Sequence, residues 1–263
     1  MNNIKIIFVD LDGTLRDSNG IISENAIHYI EKLKSIGISV VFTTGRSISY
    51  TVKLANTSNP SPYLITSNGG EIYNLINKEL LYCNHINEDD IKYLDKIIKD
   101  NNLIFVANTK DFRYSNKIGT DRVVIDSLLD ITVPISQVVI QSEDLEKMKE
   151  IKNDINNKES LRIANEPKMP RNKPYTFFDI TNSDVSKGNA ATQLCDYLHI
   201  PLDNTMAIGN SKNDISMFDV CKYKVAVDNA DIELKEKANM FTKSNDEDGV
   251  SLVLSKIYKE NKE

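Results

Sequence analysis

With 263 residues, 40% of them hydrophobic and 27% charged, the chain can bury one large core or two modest ones and has the composition of a soluble globular protein. Its net charge of −6 excludes a general nucleic-acid binder, which needs a basic footprint to neutralise phosphates. Three cysteines, Cys83, Cys195 and Cys221, odd in number and without a Cys-x-x-Cys pair, exclude a disulfide framework and a zinc site and suit reduced thiols in the cytoplasm.

The chain opens on an apolar run, Ile4–Val9, that stops at Asp10. The run is too short for a signal peptide or a membrane span, so no membrane association is expected. An amphipathic helix follows over 24–35, with Ala26, Ile27, Ile30 and Leu33 on one face and Gly37 as its stop signal. Further short runs are Ile38–Phe42 before Thr43-Thr44-Gly45-Arg46, and Tyr63–Ile65 before Thr66-Ser67-Asn68-Gly69-Gly70. Rich in Ile and Val and lacking alternation, they suit strands buried on both faces of a parallel sheet.

The middle of the chain reads differently. Asn87 caps a helix over 88–99, and a second helix starts at Ser142-Glu143-Asp144 and runs to about Asn156. Around them lie candidate strands at 103–107, 111–115, 121–125, 136–141, 160–165 and 175–180, some alternating as half-exposed strands do. Beyond this module a helix over 187–198 carries Ala191, Leu194, Cys195 and Leu198 on one face. Strands Met206–Ile208 and Lys224–Val227 end at Gly209-Asn210 and Asp228-Asn229, and a Lys/Glu-rich tail over 256–263 reads as a helix end or fraying terminus. The pattern predicts an α/β fold. A Rossmann-like parallel-sheet core from 1–81 and 183–263 carries an inserted α+β module, 82–182. In such open sheets ligands bind at the carboxyl ends of the strands, where the polar clusters fall.

Asp10 ends a strand, Asp12 follows two residues on, and Gly13 permits a sharp departure. Two carboxylates this close repel unless a cation or a proton separates them, and magnesium suits such hard oxygen ligands. One carboxylate could attack phosphorus while the other gives a proton to the leaving oxygen. The same string also spells a turn or an isolated calcium loop. Its place at a strand end, beside Thr44 and Gly209, favours a site. Lys187 follows the N-cap Ser186 and so meets the positive end of a helix dipole, a poor choice for stability that an anion nearby explains. No Gly-x-x-x-x-Gly-Lys-Ser/Thr loop supports a kinase or nucleotide triphosphatase.

The string Phe8-Val9-Asp10-Leu11-Asp12-Gly13-Thr14-Leu15 resembles the first signature of haloacid-dehalogenase-type phosphatases. Phe42-Thr43-Thr44-Gly45-Arg46 resembles the second, Ser186-Lys187-Gly188 the third, and Gly209-Asn210-Ser211-Lys212-Asn213-Asp214 the fourth. Ser67-Asn68-Gly69-Gly70 and the long insertion between the second and third signatures are similar to the Cof-type branch, so 82–182 would be its substrate-reading cap. The resemblance implies that Asp10 is the nucleophile and a ligand of Mg2+. Asp12 would be general acid and base, its main-chain carbonyl on the metal. Thr44, with the amides of Gly45 and Leu11, would hold phosphoryl oxygens, Lys187 would neutralise the nucleophile and the transferring group, and Asn213 would contact phosphate. Asn210 and Asp214 would complete the metal site. The family ordinarily has Asp at the position of Asn210, so one negative charge is missing here.

Arg46 reads as a residue that steadies its loop or caps the site, without a catalytic role. Arg113, Arg122, Arg171 and Lys173 are candidate readers of the leaving group, Tyr114 and Tyr175 are core or rim residues, and His28, His85 and His199 read as structural. The expectation is a magnesium-dependent phosphatase of small phosphorylated metabolites, above all sugar phosphates. It would be cytoplasmic and a monomer or weak homo-oligomer. The alternatives are a weakly active or non-catalytic phosphometabolite-binding regulator, a phosphosugar mutase, and a sucrose-phosphate-type phosphatase.

Overall fold

The apolar runs become the centre of a sheet. The computed structural model describes residues 3–165 and 175–262. Strands β1 (Ile6–Val9), β2 (Ser39–Thr43) and β3 (Tyr63–Thr66) lie parallel and almost wholly buried. The crossovers between them are α1 (Glu24–Ser35) and α2 (Ile48–Ser58). Helix α1 has the bounds its periodicity predicts. Ser23 caps it by accepting from Ala26 N, Glu24 lies in the first turn, Lys32 and Lys34 in the last, and Ala26, Ile30 and Leu33 are buried. Helix α2 escapes the hydrophobic pattern because three of its four buried residues, Thr51, Ala55 and Ser58, are small or polar.

A hairpin of β4 (Glu71–Asn74) and β5 (Glu79–Cys83), also unanticipated, extends the sheet antiparallel beyond β3. The chain then builds a second sheet. In order come α3 (Glu88–Asp100), β6 (Ile104–Asn108), β7 (Arg113–Ser115), β8 (Val123–Val124), β9 (Gln137–Ser142), α4 (Leu145–Asn156), β10 (Leu161–Asn165) and β11 (Thr176–Asn182). The strand order is β10-β11-β9-β6-β7-β8, antiparallel except for β7 and β8. Strand β8 is only two residues long and β7 starts at Arg113, both shorter than the alternation suggests. The two helices begin at side-chain caps, Asn87 and Asp144, which accept from Asp90 N and Lys147 N. Period-two alternation gives this sheet two faces. Phe105, Val138, Ile140, Phe178 and Ile180 join Leu94 of α3 and Ile151 of α4 in a separate core, while Val106, Gln137, Val139, Gln141 and Asp179 line a cleft toward the first sheet.

The chain returns to the first sheet through α5 (Lys187–Leu198), β12 (Thr205–Gly209), α6 (Ile215–Val220), β13 (Tyr223–Ala226), α7 (Ile232–Lys237), β14 (Met240–Phe241) and α8 (Gly249–Asn261). The tail is thus the last turns of α8. The sheet reads β14-β13-β12-β1-β2-β3-β4-β5. Ile7, Val9 and Phe42 pack on α1 and α8, and Ile6, Phe8 and Val41 pack on α5 and α6. A Rossmann-like core and a cap are therefore present, as the patterning predicts. Strand order reverses at β1, which lies between β2 and β12, and the crevice at such a reversal is the ligand position of open α/β sheets. Asp10 is the first residue beyond β1. No described helix is long and apolar enough to cross a membrane.

Candidate active site

Asp10 makes the last sheet-like bond of its strand, its amide donating to Ile208 O at 3.0 Å. The chain then turns at Gly13, whose φ of +81° suits glycine, and Leu11 O accepts from Arg16 N at 2.9 Å. Behind Asp10 lies Lys187, the first residue of α5 and fully buried. Its Nζ donates to Asp10 Oδ1 and to Asp214 Oδ1, each at 2.6 Å. The other oxygen of Asp214 accepts from the amides of Asn210 at 2.9 Å and Ser211 at 3.0 Å. One ammonium therefore joins the ends of β1 and β12 through two carboxylates, which answers the puzzle of a lysine at a helix N-terminus.

This arrangement carries excess negative charge. Burial, with the charges of Asp214 and Asp12, pushes the Asp10 carboxyl up to about 7 against the pull of Lys187. Burial by itself lowers the basicity of Lys187, but Asp10 and Asp214 more than reverse this and hold it protonated.

Asp12 behaves in the opposite sense. Arg46 donates to it through Nε at 2.7 Å and Nη2 at 3.0 Å, and Arg16 adds a third bond through Nη1. The Tyr50 ring stacks with both guanidinium groups, at 4.7 Å from Arg46 and 5.6 Å from Arg16. Burial raises the Asp12 carboxyl, yet the bonds from Arg46 and the charge of Arg16 outweigh it and leave it below the usual range. Arg46 thus does more than steady its loop. The sequence hides this pairing because Arg46 is remote along the chain and Arg16 is separated from Asp12 by a turn rather than a helix.

At the end of β2, Thr44 is buried and its Oγ1 accepts from Arg46 N at 3.1 Å. Gly45 O accepts from Gln137 Nε2 of the cap at 3.3 Å. The turn after β3 runs left-handed through Ser67, Asn68 and Gly69, at φ +50°, +58° and +101°, and presents a buried Asn68. Its Nδ2 donates to Gln137 Oε1 at 2.9 Å and Asp179 Oδ2 at 3.2 Å, while its Oδ1 accepts from Asn213 Nδ2 at 2.9 Å. Burial, opposed by Asn68, Asn165, Arg46 and Lys187, pushes Asp179 up to about 6. Gly69 is needed because a Cβ there would overlap the Ser186 carbonyl, so the turn packs directly on the residues that place Lys187. Sequence patterning passes over Gln137 and Asp179 and marks Asn68 only as part of the polar cluster after β3; a carboxylate inside the apolar string Phe177-Phe178-Asp179-Ile180 is the signal that points to the cap side.

The cleft between core and cap measures about 480 Å³. Asp10, Asp12, Thr44, Gly45 and Asn213 line it, as do Arg113, Arg122 and Tyr175 from the cap. Asp214 and Lys187 lie behind its wall, and Leu11 is buried. Asn210 faces the Gly13–Thr14 turn, its Oδ1 accepting from Thr14 Oγ1 at 3.1 Å. Tyr114 packs on the cap core, and Arg171 and Lys173 fall outside the described residues. His28 stacks edge-on against Tyr29 and His199 caps α5. Among the described residues, no three His, Cys, Asp or Glu side chains gather as a metal-binding group.

A family model of haloacid dehalogenase-like hydrolases matches residues 7–254. The chain is 30% identical over 253 residues to the 5-amino-6-(5-phospho-D-ribitylamino)uracil phosphatase YcsE of Bacillus subtilis, covering 95% of this chain and 94% of that protein. It is 26% identical to the phosphoglycolate phosphatase of Methanobrevibacter smithii, covering 97% of this chain and 99% of that protein. A haloacid dehalogenase-like hydrolase from Bacteroides thetaiotaomicron, 26% identical, superposes with a TM-score of 0.84 over 97% of this chain and 99% of that one.

Proposed function

The chain belongs to the haloacid dehalogenase-like hydrolases and is a hydrolase of phosphate monoesters; from that premise we propose a magnesium-dependent phosphatase of small sugar phosphates, acting through an aspartyl-phosphate on Asp10. The observation that carries the reading is the buried Lys187 ammonium on one oxygen of a carboxylate whose residue lines the cleft. With Oδ1 tied to Lys187, Oδ2 is left to attack phosphorus. The ester P–O bond breaks, and the leaving alkoxide takes a proton from Asp12. Water then gives a proton to Asp12 and attacks the aspartyl-phosphate, the bond to Asp10 breaks, and inorganic phosphate departs. Lys187, the Thr44 hydroxyl and the amides of Leu11 and Gly45 oppose the charge that spreads over the phosphoryl oxygens. Asp12 acts as an acid only after Arg46 loosens its hold. A phosphoryl group in the cleft, where Arg46 also lies, offers that guanidinium a competing anion.

Magnesium fits the donor set. The Asp10 carboxylate, the Asp12 carbonyl and the Asn210 amide oxygen are hard oxygens. Asp214, whose two oxygens already accept from Lys187 and from the amides of Asn210 and Ser211, would reach the ion through water. A single Lys187 ammonium serves two carboxylates. When bound, the ion would supply positive charge that keeps Asp10 ionised and polarises the phosphoryl group. The set has one charge fewer than the family usually provides. Asn210→Asp is therefore expected to lower the magnesium concentration for half-maximal rate by about tenfold; an unchanged requirement would place residue 210 off the metal.

Asn108, Gln137, Gln141 and Asn165 line the cleft with amides, the groups that bond sugar hydroxyls. The relatives named for 5-amino-6-(5-phospho-D-ribitylamino)uracil and phosphoglycolate support a small phosphorylated substrate. We divide the chain into a core of 1–81 and 183–263 and a cap of 82–182. The separate hydrophobic clusters support this division, although β5 carries the core sheet on to Cys83. A cytoplasmic setting suits the three free cysteines. The test is hydrolysis of p-nitrophenyl phosphate and a panel of sugar and polyol monophosphates with magnesium. Acid quench, borohydride reduction and mass spectrometry then seek homoserine at position 10. Inactivity across the panel, or modification elsewhere, would end this reading.

A further inference from the structure

Two arginines on the cap wall have nothing to bind within the described protein. Strands β7 and β8 run parallel with Tyr114 beside Val123, so Arg113 and Arg122, each one residue earlier, sit side by side at the same edge. Both line the cleft. The Nε atom of each is buried without a hydrogen-bond partner. Among the described residues Arg16, Arg46 and Arg162 all donate to a carboxylate or a carbonyl; Arg113 and Arg122 do not. The neighbouring acid, Asp121, is engaged by Lys53 at 2.8 Å.

Surface charge alone explains this poorly, because half-buried guanidinium groups ordinarily turn to water or to an acid. Here burial, then the like charges of Arg122 and Arg46, depress the basicity of Arg113. The one acid that acts on Arg113, Asp121, does so weakly and is already paired with Lys53, and adjacent cations so poorly balanced cost stability unless function recovers it. Nearby, Asn108, the register partner of Arg113 across β6 and β7, keeps a buried Oδ1 that accepts nothing. The cleft therefore offers a nucleophile on the core wall, an acceptor for a hydroxyl on the cap sheet, and a pair of forked cations at the cap edge.

Resting on the phosphatase reading above, we infer that the substrate carries a second oxyanion, a carboxylate or a second phosphate, remote from the scissile phosphate and held by Arg113 and Arg122. Such forks suit either planar carboxylate or phosphate oxygens. Arg113 and Arg122 are thus specificity-determining residues that select metabolites with a second anionic group over sugar monophosphates whose remote end is uncharged.

Binding to the full-length Asp10→Asn protein tests this without turnover. Sorbitol 6-phosphate, 6-phosphogluconate and sorbitol 1,6-bisphosphate share one carbon skeleton and differ at the remote end as hydroxymethyl, carboxylate and phosphate. Calorimetry with magnesium is expected to show one of the two doubly anionic ligands binding about 10- to 100-fold tighter than sorbitol 6-phosphate. The tighter of the two identifies the oxyanion. Arg113→Gln and Arg122→Gln, each checked for an unaltered melting transition, should each remove most of that gap. Equal or undetectable affinities for all three ligands, or a gap that survives in both variants, would overturn the inference. Wild-type turnover is scored separately: a binding gap without hydrolysis fails the phosphatase reading alone, and hydrolysis without a gap fails this one alone.

Discussion

Asparagine in place of Asp10 is expected to lower turnover of every phosphate monoester by at least about 10⁴-fold, the scale on which enzymes lose a covalent nucleophile. It is also expected to make the metal-free protein more stable at neutral pH. Asparagine keeps an oxygen for Lys187 but cannot ionise. In the wild type the folded Asp10 carboxyl sits near 7 while the unfolded one stays near 3.8. The folded state therefore holds a proton that the unfolded state has already released. Wild-type stability falls as pH rises from about 4 to about 7, by a few kcal/mol at most. The Asp10→Asn variant escapes this loss. Urea unfolding in chelator should show its advantage at pH 7.5 and the shrinkage of that advantage toward pH 4. A variant no more stable than wild type at pH 7.5 would mean that Lys187 outweighs burial and the other two carboxylates. A carboxylate that serves there as the proposed nucleophile would trade stability for activity, because its charge is expensive in that place.

Much of the fold could be read from local patterning because local patterning dictates it. The stretches behind β1, β2 and β12 are apolar on both faces, and α1 and α5 alternate at helical spacing with Ser caps and, for α1, well-placed charges. Patterning failed where tertiary packing replaces it. Helix α2 buries small polar residues, and the hairpin β4–β5 is held at the sheet edge by pairing with β3 rather than by a core face of its own. The site divides in the same way. Asp10, Thr44, Lys187 and Asp214 stand at element ends that sequence can locate. The Arg46–Asp12 pair and the Asn68 bridge to Gln137 and Asp179 join segments far apart in the chain. No periodicity within either segment encodes a partner in the other.

Lys187→Met supplies the sharper test of that long-range chemistry. Methionine keeps nearly the length of lysine and removes its charge, leaving Asp10 and Asp214 buried together without the ammonium that bridges them at 2.6 Å on each side. Stripping one partner from a buried ion pair typically costs about 3–5 kcal/mol, and a loss of that order is expected in urea unfolding at pH 7.5. The deficit should narrow toward pH 5, because without Lys187 the raised Asp10 carboxyl rises further and takes a proton. Turnover should fall by about 10²- to 10³-fold even where the variant is folded, since the fixed positive charge proposed to neutralise the transferring group is lost. The double variant Asp10→Asn with Lys187→Met separates charge from packing. If the lysine acts chiefly by balancing two carboxylates, removing one of them should return much of the lost stability, giving a coupling that a double-mutant cycle resolves. Additive effects of the two substitutions would instead assign Lys187 to packing at the start of α5. That outcome would leave the negative charge at the end of β1 to be answered from elsewhere in the cleft.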